Sequence, residues 1–152
     1  MSPSKKETLY RWWRSKTEVV LEALAERGAE TIPVSDTGSL RGDLRRLLRA
    51  TAAALDPTTV RLVRTLAAEA AADQGFARLA RDRFIGRRRA ALGEVLERAV
   101  VRGELTRREV PITTDLIYGS LWYRVIFGVG PLDNRWADAV ARAVGREVPL
   151  LG

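Results

Sequence analysis

Apolar positions recur along this chain at helical spacing, and no stretch sustains the period-2 alternation of a half-buried strand. Thr8 to Trp13 reads as a short helix stopped near Arg14. Ser15-Lys-Thr-Glu18 has the form of a capping box, which predicts a new helix from there to Gly28 with Val20, Leu21 and Leu24 on one face. Residues 29–38 carry proline, glycine and small polar groups and read as a linker and hinge. Leu40, Leu44, Leu47, Leu48, Thr51 and Leu55 then mark an amphipathic helix. Asp56-Pro57 is an N-cap acid followed by proline at the first helical position, and the helix it opens ends near Gly75. One long helix is predicted from Phe76 to Arg102, closed by Gly103. Pro111 to Val129 is the most apolar helix, and Leu132 to Gly145 is the last. The fold class predicted is all-α.

A helix that is apolar on several faces needs partners on several faces. The 111–129 helix is of that kind, with Gly119 and Ser120 small enough to allow close approach. Paired with the 132–145 helix, it predicts a homodimer joined as a four-helix bundle, with Leu116, Gly119, Ser120, Trp136 and Val140 at the interface. Periodicity alone leaves open the alternative that both helices fill the core of one chain.

The absence of cysteine and histidine removes disulfides, thiol nucleophiles, Cys/His zinc sites and histidine-based triads. No glycine-rich phosphate loop, paired acidic motif or Gly-x-Ser-x-Gly occurs, so an enzyme is not expected, nor is a cofactor or metal. No apolar run is long enough to span a membrane and the first residues are polar and charged, so the expected location is the cytoplasm. The formal charge is +7 over 152 residues, and its distribution is uneven. All the lysines (Lys5, Lys6, Lys16) lie in the first sixteen residues with Arg11 and Arg14, opposed only by Glu7. Interleaved with Tyr10, Trp12 and Trp13, this stretch reads either as a contact for an anionic backbone or as a solvated helix face. The arginines at 78, 81, 83, 87, 88 and 89 scatter around their helix and read as solvated surface, some paired with Asp82, Glu94 or Glu97.

Three stretches resemble the TetR family of bacterial one-component regulators. Lys6-Glu-Thr-Leu-Tyr-Arg-Trp-Trp-Arg-Ser-Lys16, followed by Val19-Val-Leu-Glu-Ala-Leu24, is similar to the family's recognition helix and the start of its connecting helix. Arg87-Arg-Arg-Ala-Ala-Leu92 through Ala99-Val-x-Arg-Gly-Glu-Leu105 resembles the end of a long helix in one branch of the family. Asp115-Leu-Ile-Tyr-Gly-Ser-Leu-Trp-Tyr-Arg124, then Gly130-Pro-Leu-Asp133, resembles its two dimerisation helices.

The resemblance implies a homodimeric repressor of operator DNA, released when a small effector favours a spread arrangement of the reading heads. It implies DNA contacts at Lys5, Lys6, Thr8, Tyr10, Arg11 and Lys16, with Trp13 as the buried aromatic beneath them. It implies a pocket among the central helices for a hydrophobic or aromatic effector. Candidate lining residues are Phe76, Phe84, Trp122, Tyr123 and Phe127, with Arg83 or Arg124 as charged anchor; each would serve equally as core packing. Arg124 is expected to find its partner in an acidic ligand, in Asp115 or Glu94, or in carbonyls of a second chain. Family members carry two further helices before the recognition helix. The expected organisation is therefore a helix-turn-helix remnant at 1–14, a connecting helix at 15–28 and a ligand-binding and dimerisation domain at 39–152. The alternative is a helical ligand-binding or scaffold dimer that no longer binds DNA.

Overall fold

The computed structural model describes residues 4–145, and every regular element among them is helical. In chain order they are α1 (Lys5–Thr31), α2 (Leu40–Ala54), α3 (Pro57–Ala72), α4 (Gln74–Ala80), α5 (Gly86–Val101), α6 (Val110–Phe127) and α7 (Asn134–Val144). A π-helical segment, Arg81–Ile85, joins α4 to α5, and a 3₁₀ turn, Arg107–Glu109, leads into α6. No helix of the described residues is long and apolar enough to cross a membrane.

The two amino-terminal helices expected from sequence are one. No proline or glycine lies between Lys5 and Arg27, so nothing forces a break at Arg14. The capping box in use is Ser4/Glu7: Glu7 N–H donates to Ser4 Oγ, and Ser4 N–H to the Glu7 carboxylate, both at 3.2 Å. Glu18, expected to serve a cap at Ser15, instead accepts from Arg14 Nε at 3.0 Å in an i,i+4 pair across the predicted break. Gly28 does not end the helix either, because Ile32 N–H still bonds to its carbonyl at 3.1 Å.

The other ends follow the sequence closely. Ser39, Asp56, Asp73 and Asp133 each accept a backbone N–H in the first turn of α2, α3, α4 and α7. After α5, Gly103 takes φ 81°, and the bonds Glu104 N–H to Ala99 O and Gly103 N–H to Val100 O complete a Schellman stop. Gly128, at φ 64°, stops α6 in the left-handed conformation. The predicted 76–102 helix is continuous in direction but contains one wide turn. Gly86 N–H reaches back five residues to Arg81 O, and a Cβ on Gly86 would stand 3.0 Å from that oxygen.

The core is a single cluster into which α1 contributes Leu21 and Leu24, α2 contributes Leu44 and Leu48, and α5 contributes Leu92, Val95 and Leu96. Of residues 29–38, expected as a linker and hinge, the first three belong to α1 and the rest are pinned. Ile32 is buried, Arg98 Nη2 donates to Ser35 O at 2.6 Å, and Thr37 donates to Asp43 through both its N–H and its hydroxyl.

Helix α7 packs along α2 and is stapled to it by Asp138, which accepts from Arg49 Nη2 at 2.6 Å and from Arg45 Nε at 3.2 Å. The Arg49 hydrogen bond holds the Asp138 carboxyl down at about 2, against an ordinary 3.8, outweighing partial desolvation. A folded-state value below the unfolded one means that the staple contributes fully above about pH 4 and is lost as pH falls toward about 2. Asp138→Asn is therefore expected to be less stable than the parent at pH 7, with the gap closing through that acid window. Urea denaturation at pH 7, 4 and 2.5 measures this, and a gap independent of pH would contradict it.

Candidate functional site

Beneath the second half of α1 lies an apolar slot walled by Leu24, Leu48, Val63, Phe84, Leu121 and Trp122. Its empty space is about 780 Å³ counting the solvent at its open mouth, and only a small part of that is enclosed by the walls. A second hollow, about 720 Å³ by the first measure, adjoins it between Leu21, Leu66, Ala80 and Ile126. Phe84 and Trp122 form the partition shared by both, their rings meeting edge-on with centroids 6.4 Å apart. Phe84 belongs to the wide π turn, which sets its ring at this junction.

Polar groups at the slot are few and mostly committed. Thr31 and Thr51 donate their hydroxyl protons to the carbonyls of Arg27 and Leu47, at 2.7 and 2.8 Å. The Tyr118 hydroxyl donates to Arg88 O at 2.6 Å, and burial pushes its ionisation up to about 12, so the phenol stays neutral. Arg88 lies against α1 and donates through Nη1 to Gly28 O at 2.8 Å. A Cβ added at Gly28 would stand 3.4 Å from Arg88 Nη1, an ordinary contact.

Of the ligand-binding residues expected from sequence, Phe84 and Trp122 line the cavity and the rest do not. Phe76 is fully buried core, with the Arg14 guanidinium 5.2 Å from its ring centre. Tyr123 and Phe127 lie on the outer face of α6, ring centroids 6.3 Å apart and exposed. They face away because α6 buries its Thr113, Ile117, Leu121 and Val125 stripe instead. Arg124 donates to Pro131 O of its own chain at 2.8 Å, a partner not among those anticipated, and so ties the α6–α7 turn. Arg83 pairs with Glu22 of α1 at 3.6 Å, as does Arg87 at 3.2 Å, so the arginines that were expected to pair within their own helix reach across to α1.

All six residues expected to contact DNA are exposed on α1, but helical spacing distributes them around it. Lys5 and Lys16 share a face with Leu9, Trp12 and Val19, and Lys16 Nζ lies 5.2 Å from the Trp12 ring centre. Lys6 and Tyr10 lie toward the α3–α4 junction, where the Tyr10 hydroxyl donates to the Asp73 carboxylate. Thr8 donates its hydroxyl to Ser4 O, and Arg11 is exposed. Asp73 also accepts from Arg14 Nη1 at 2.5 Å and caps α4 by accepting Phe76 N–H at 3.0 Å. These bonds hold the Asp73 carboxyl below its ordinary range, the Tyr10 bond foremost. Trp13 is part-exposed rather than buried, its Nε1–H donating to Glu69 at 2.9 Å. The sequence reading missed Asp73 as a hub, although its position ahead of Gln74-Gly75 marks it as an N-cap.

The residues expected at a dimer interface divide. Leu116 and Gly119 are exposed, in line with Ile112, Tyr123 and Phe127 along one open face of α6. Trp136 is not presented to a partner: it is 4% exposed in its own chain, and its Nε1–H donates to Ser120 Oγ at 2.8 Å. Val140 is half-buried.

The geometry defines an all-helical domain with an apolar cavity under a long amino-terminal helix whose first half is basic. The model of the family described as "Tetracyclin repressor-like, C-terminal domain" matches residues 34–144. The chain belongs to the TetR family. It is 30% identical over 122 residues to the uncharacterised HTH-type transcriptional regulator YdeS of Bacillus subtilis (strain 168), covering 80% of this chain and 62% of that protein. It is 32% identical over 124 residues to the uncharacterised HTH-type transcriptional regulator Rv1556 of Mycobacterium tuberculosis (strain H37Rv), covering 80% and 60%. The chain thus spans about three fifths of the length of these curated relatives. Among solved structures it resembles the TetR family transcription regulator SCO0332, with a TM-score of 0.80 at 28% identity, covering 97% of this chain and 82% of that one.

Proposed function

We propose that this chain is the effector-binding and dimerising part of a cytoplasmic transcriptional repressor whose DNA-reading surface begins on α1. The observation that carries the reading is the position of the apolar slot. Its walls include Leu24 and Gly28 of α1, the same rigid helix that bears the basic segment at its other end. A ligand that parts α1 from α6 must also shift that segment, because α1 has no hinge between them. An effector with higher affinity for the shifted arrangement moves the population toward it and releases operator DNA. Residues 1–14 then correspond to a remnant of the reading head, 15–28 to the connecting helix and 39–152 to the effector and dimer domain.

A second reading, a ligand-binding dimer that no longer touches DNA, draws on one observation. Tyr10, a proposed phosphate contact, is bonded to Asp73, and the proposed contacts do not share a face. Fluorescence anisotropy on an operator-like palindrome and a scrambled duplex separates the two. The first reading expects weak binding with little sequence preference by this chain. About three phosphates neutralised per chain would give log K falling with log salt at a slope of about −3. Absence of binding at about 50 mM salt favours the second reading. Tight, sequence-specific and salt-resistant binding would overturn the weak-contact picture of α1.

A further inference from the structure

The slot under α1 is apolar along its walls, but two arginines, Arg27 and Arg88, are among the residues that line it. Arg88 has no carboxylate partner among the described residues, unlike other arginines of this region, and Arg27 has only a long one in Asp56. Arg83 and Arg87 share Glu22, and Arg89 faces Asp115 at 3.9 Å. Among the described residues, no carboxylate lies within 4.0 Å of Arg88, whose one protein acceptor is the Gly28 carbonyl. A guanidinium has five N–H donors in a planar fork, so most of that fork faces the cavity or water. Arg27 has only Asp56, at 3.9 Å with both side chains about half exposed, and Asp56 is already engaged in capping α3 through Thr59 N–H.

The surrounding groups sharpen the preference. The hydroxyls of Thr31, Thr51 and Tyr118 donate to backbone carbonyls, so they offer a ligand no proton without breaking a bond. A charged head at this mouth meets two cations and one occupied carboxylate. An anionic head gains charge-assisted bonds there, whereas a cationic head is repelled. The apolar walls behind that head suit an alkyl chain or a ring system.

We infer that the slot under α1 binds an amphipathic monoanion, an apolar chain or ring system bearing one carboxylate, with the carboxylate held by Arg88 and assisted by Arg27. This rests on the reading of the slot as the effector cavity. It replaces Arg83 and Arg124, whose guanidiniums are engaged elsewhere, as the charged anchor.

Isothermal titration of the full chain with dodecanoate, dodecanol and dodecylammonium tests it. These share one tail, so the head alone varies. Dodecanoate is expected to bind about tenfold or more tightly than dodecanol, the difference that one charge-assisted contact typically makes, with dodecylammonium weakest. Arg88→Met should lower dodecanoate affinity to the dodecanol level and leave dodecanol unchanged. Should Arg88→Met fail to fold, the headgroup ranking in the parent chain still decides. Equal binding of acid and alcohol overturns the anionic preference while leaving the cavity reading intact. Preference for the ammonium, or acid binding unaffected by Arg88→Met, overturns the inference outright. Failure of all three to bind removes the cavity reading and the inference with it.

Discussion

Asp43→Ala is expected to lower the stability of this domain by about 3–5 kcal/mol, the range for removing one partner of a buried ionic cluster. Asp43 has no solvent exposure. Its Oδ1 accepts from Thr37 N–H at 2.6 Å and from the Thr37 hydroxyl at 2.7 Å, and its Oδ2 accepts from Arg102 Nη2 at 3.3 Å. Arg98 Nη2 lies 3.9 Å away. One carboxylate therefore joins the 32–39 loop, the first turn of α2 and the last turns of α5. Glu104 reinforces the joint by accepting Leu40 N–H at 2.9 Å and Arg102 Nε at 2.5 Å. Alanine leaves the donors of Thr37 and Arg102, whose bonds to the buried Asp43 are themselves part-buried, without that acceptor, which is costlier than the loss of a solvated pair.

For a chain of this size the loss corresponds to a fall in Tm of about 10 °C or more by calorimetry. Asp43→Asn keeps the shape and one acceptor and should lie between parent and alanine. Asp36→Asn, at an exposed carboxylate of the same loop, should change stability by no more than about 0.5 kcal/mol. An Asp43→Ala variant within about 1 kcal/mol of the parent would mean that the cluster contributes no more than a surface pair.

That cluster also marks where sequence reading stops. Helix ends were legible because their causes are local: Asp56 before Pro57, Gly103 and Gly128 each act within one turn. The break expected at Arg14 was a local signal too, but weak, and it was overridden by Arg14 reaching both Glu18 and Asp73. Partners about sixty residues apart, such as Asp43 and Arg102 or Gly28 and Arg88, leave no trace in periodicity. The cavity was half legible for the same reason. Of the residues named for it, Phe84 and Trp122 line the slot, whereas Phe76, Tyr123 and Phe127 were indistinguishable from them until the buried stripe of each helix was known.

Leu116→Glu and Phe127→Glu are each expected to weaken self-association about thirtyfold or more, the effect of losing a central contact worth about 2 kcal/mol. Ile112, Leu116, Tyr123 and Phe127 recur along α6 at helical spacing, each more than half exposed. Gly119 lies in the same stripe with open space around its absent Cβ, so a second helix can approach there at backbone range. A monomer rarely leaves such a contiguous apolar face in water. A twofold-related copy would cover it with the same face, each α6 presenting Leu116 near Gly119 of the other. Ala139 and Ala143 of α7 are exposed as well, and a stable dimer buries roughly 1,600 Å² in total.

Because Leu116 and Phe127 touch solvent in the single chain, glutamate there should leave the helical circular dichroism unchanged while shifting sedimentation from dimer to monomer. Trp136→Phe provides the contrast. Its ring is in its own chain's core and its Nε1–H is bonded to Ser120, so it should lower the unfolding midpoint without changing the dimer fraction at a temperature where both fold. A parent chain that sediments as a monomer at about 10 μM, roughly tenfold above a micromolar dissociation constant, would exclude this face as a stable dimer interface. Unaltered association in both glutamate variants would move the interface elsewhere. Dissociation by Trp136→Phe alone would mean that α7, rather than the exposed stripe of α6, meets the second copy.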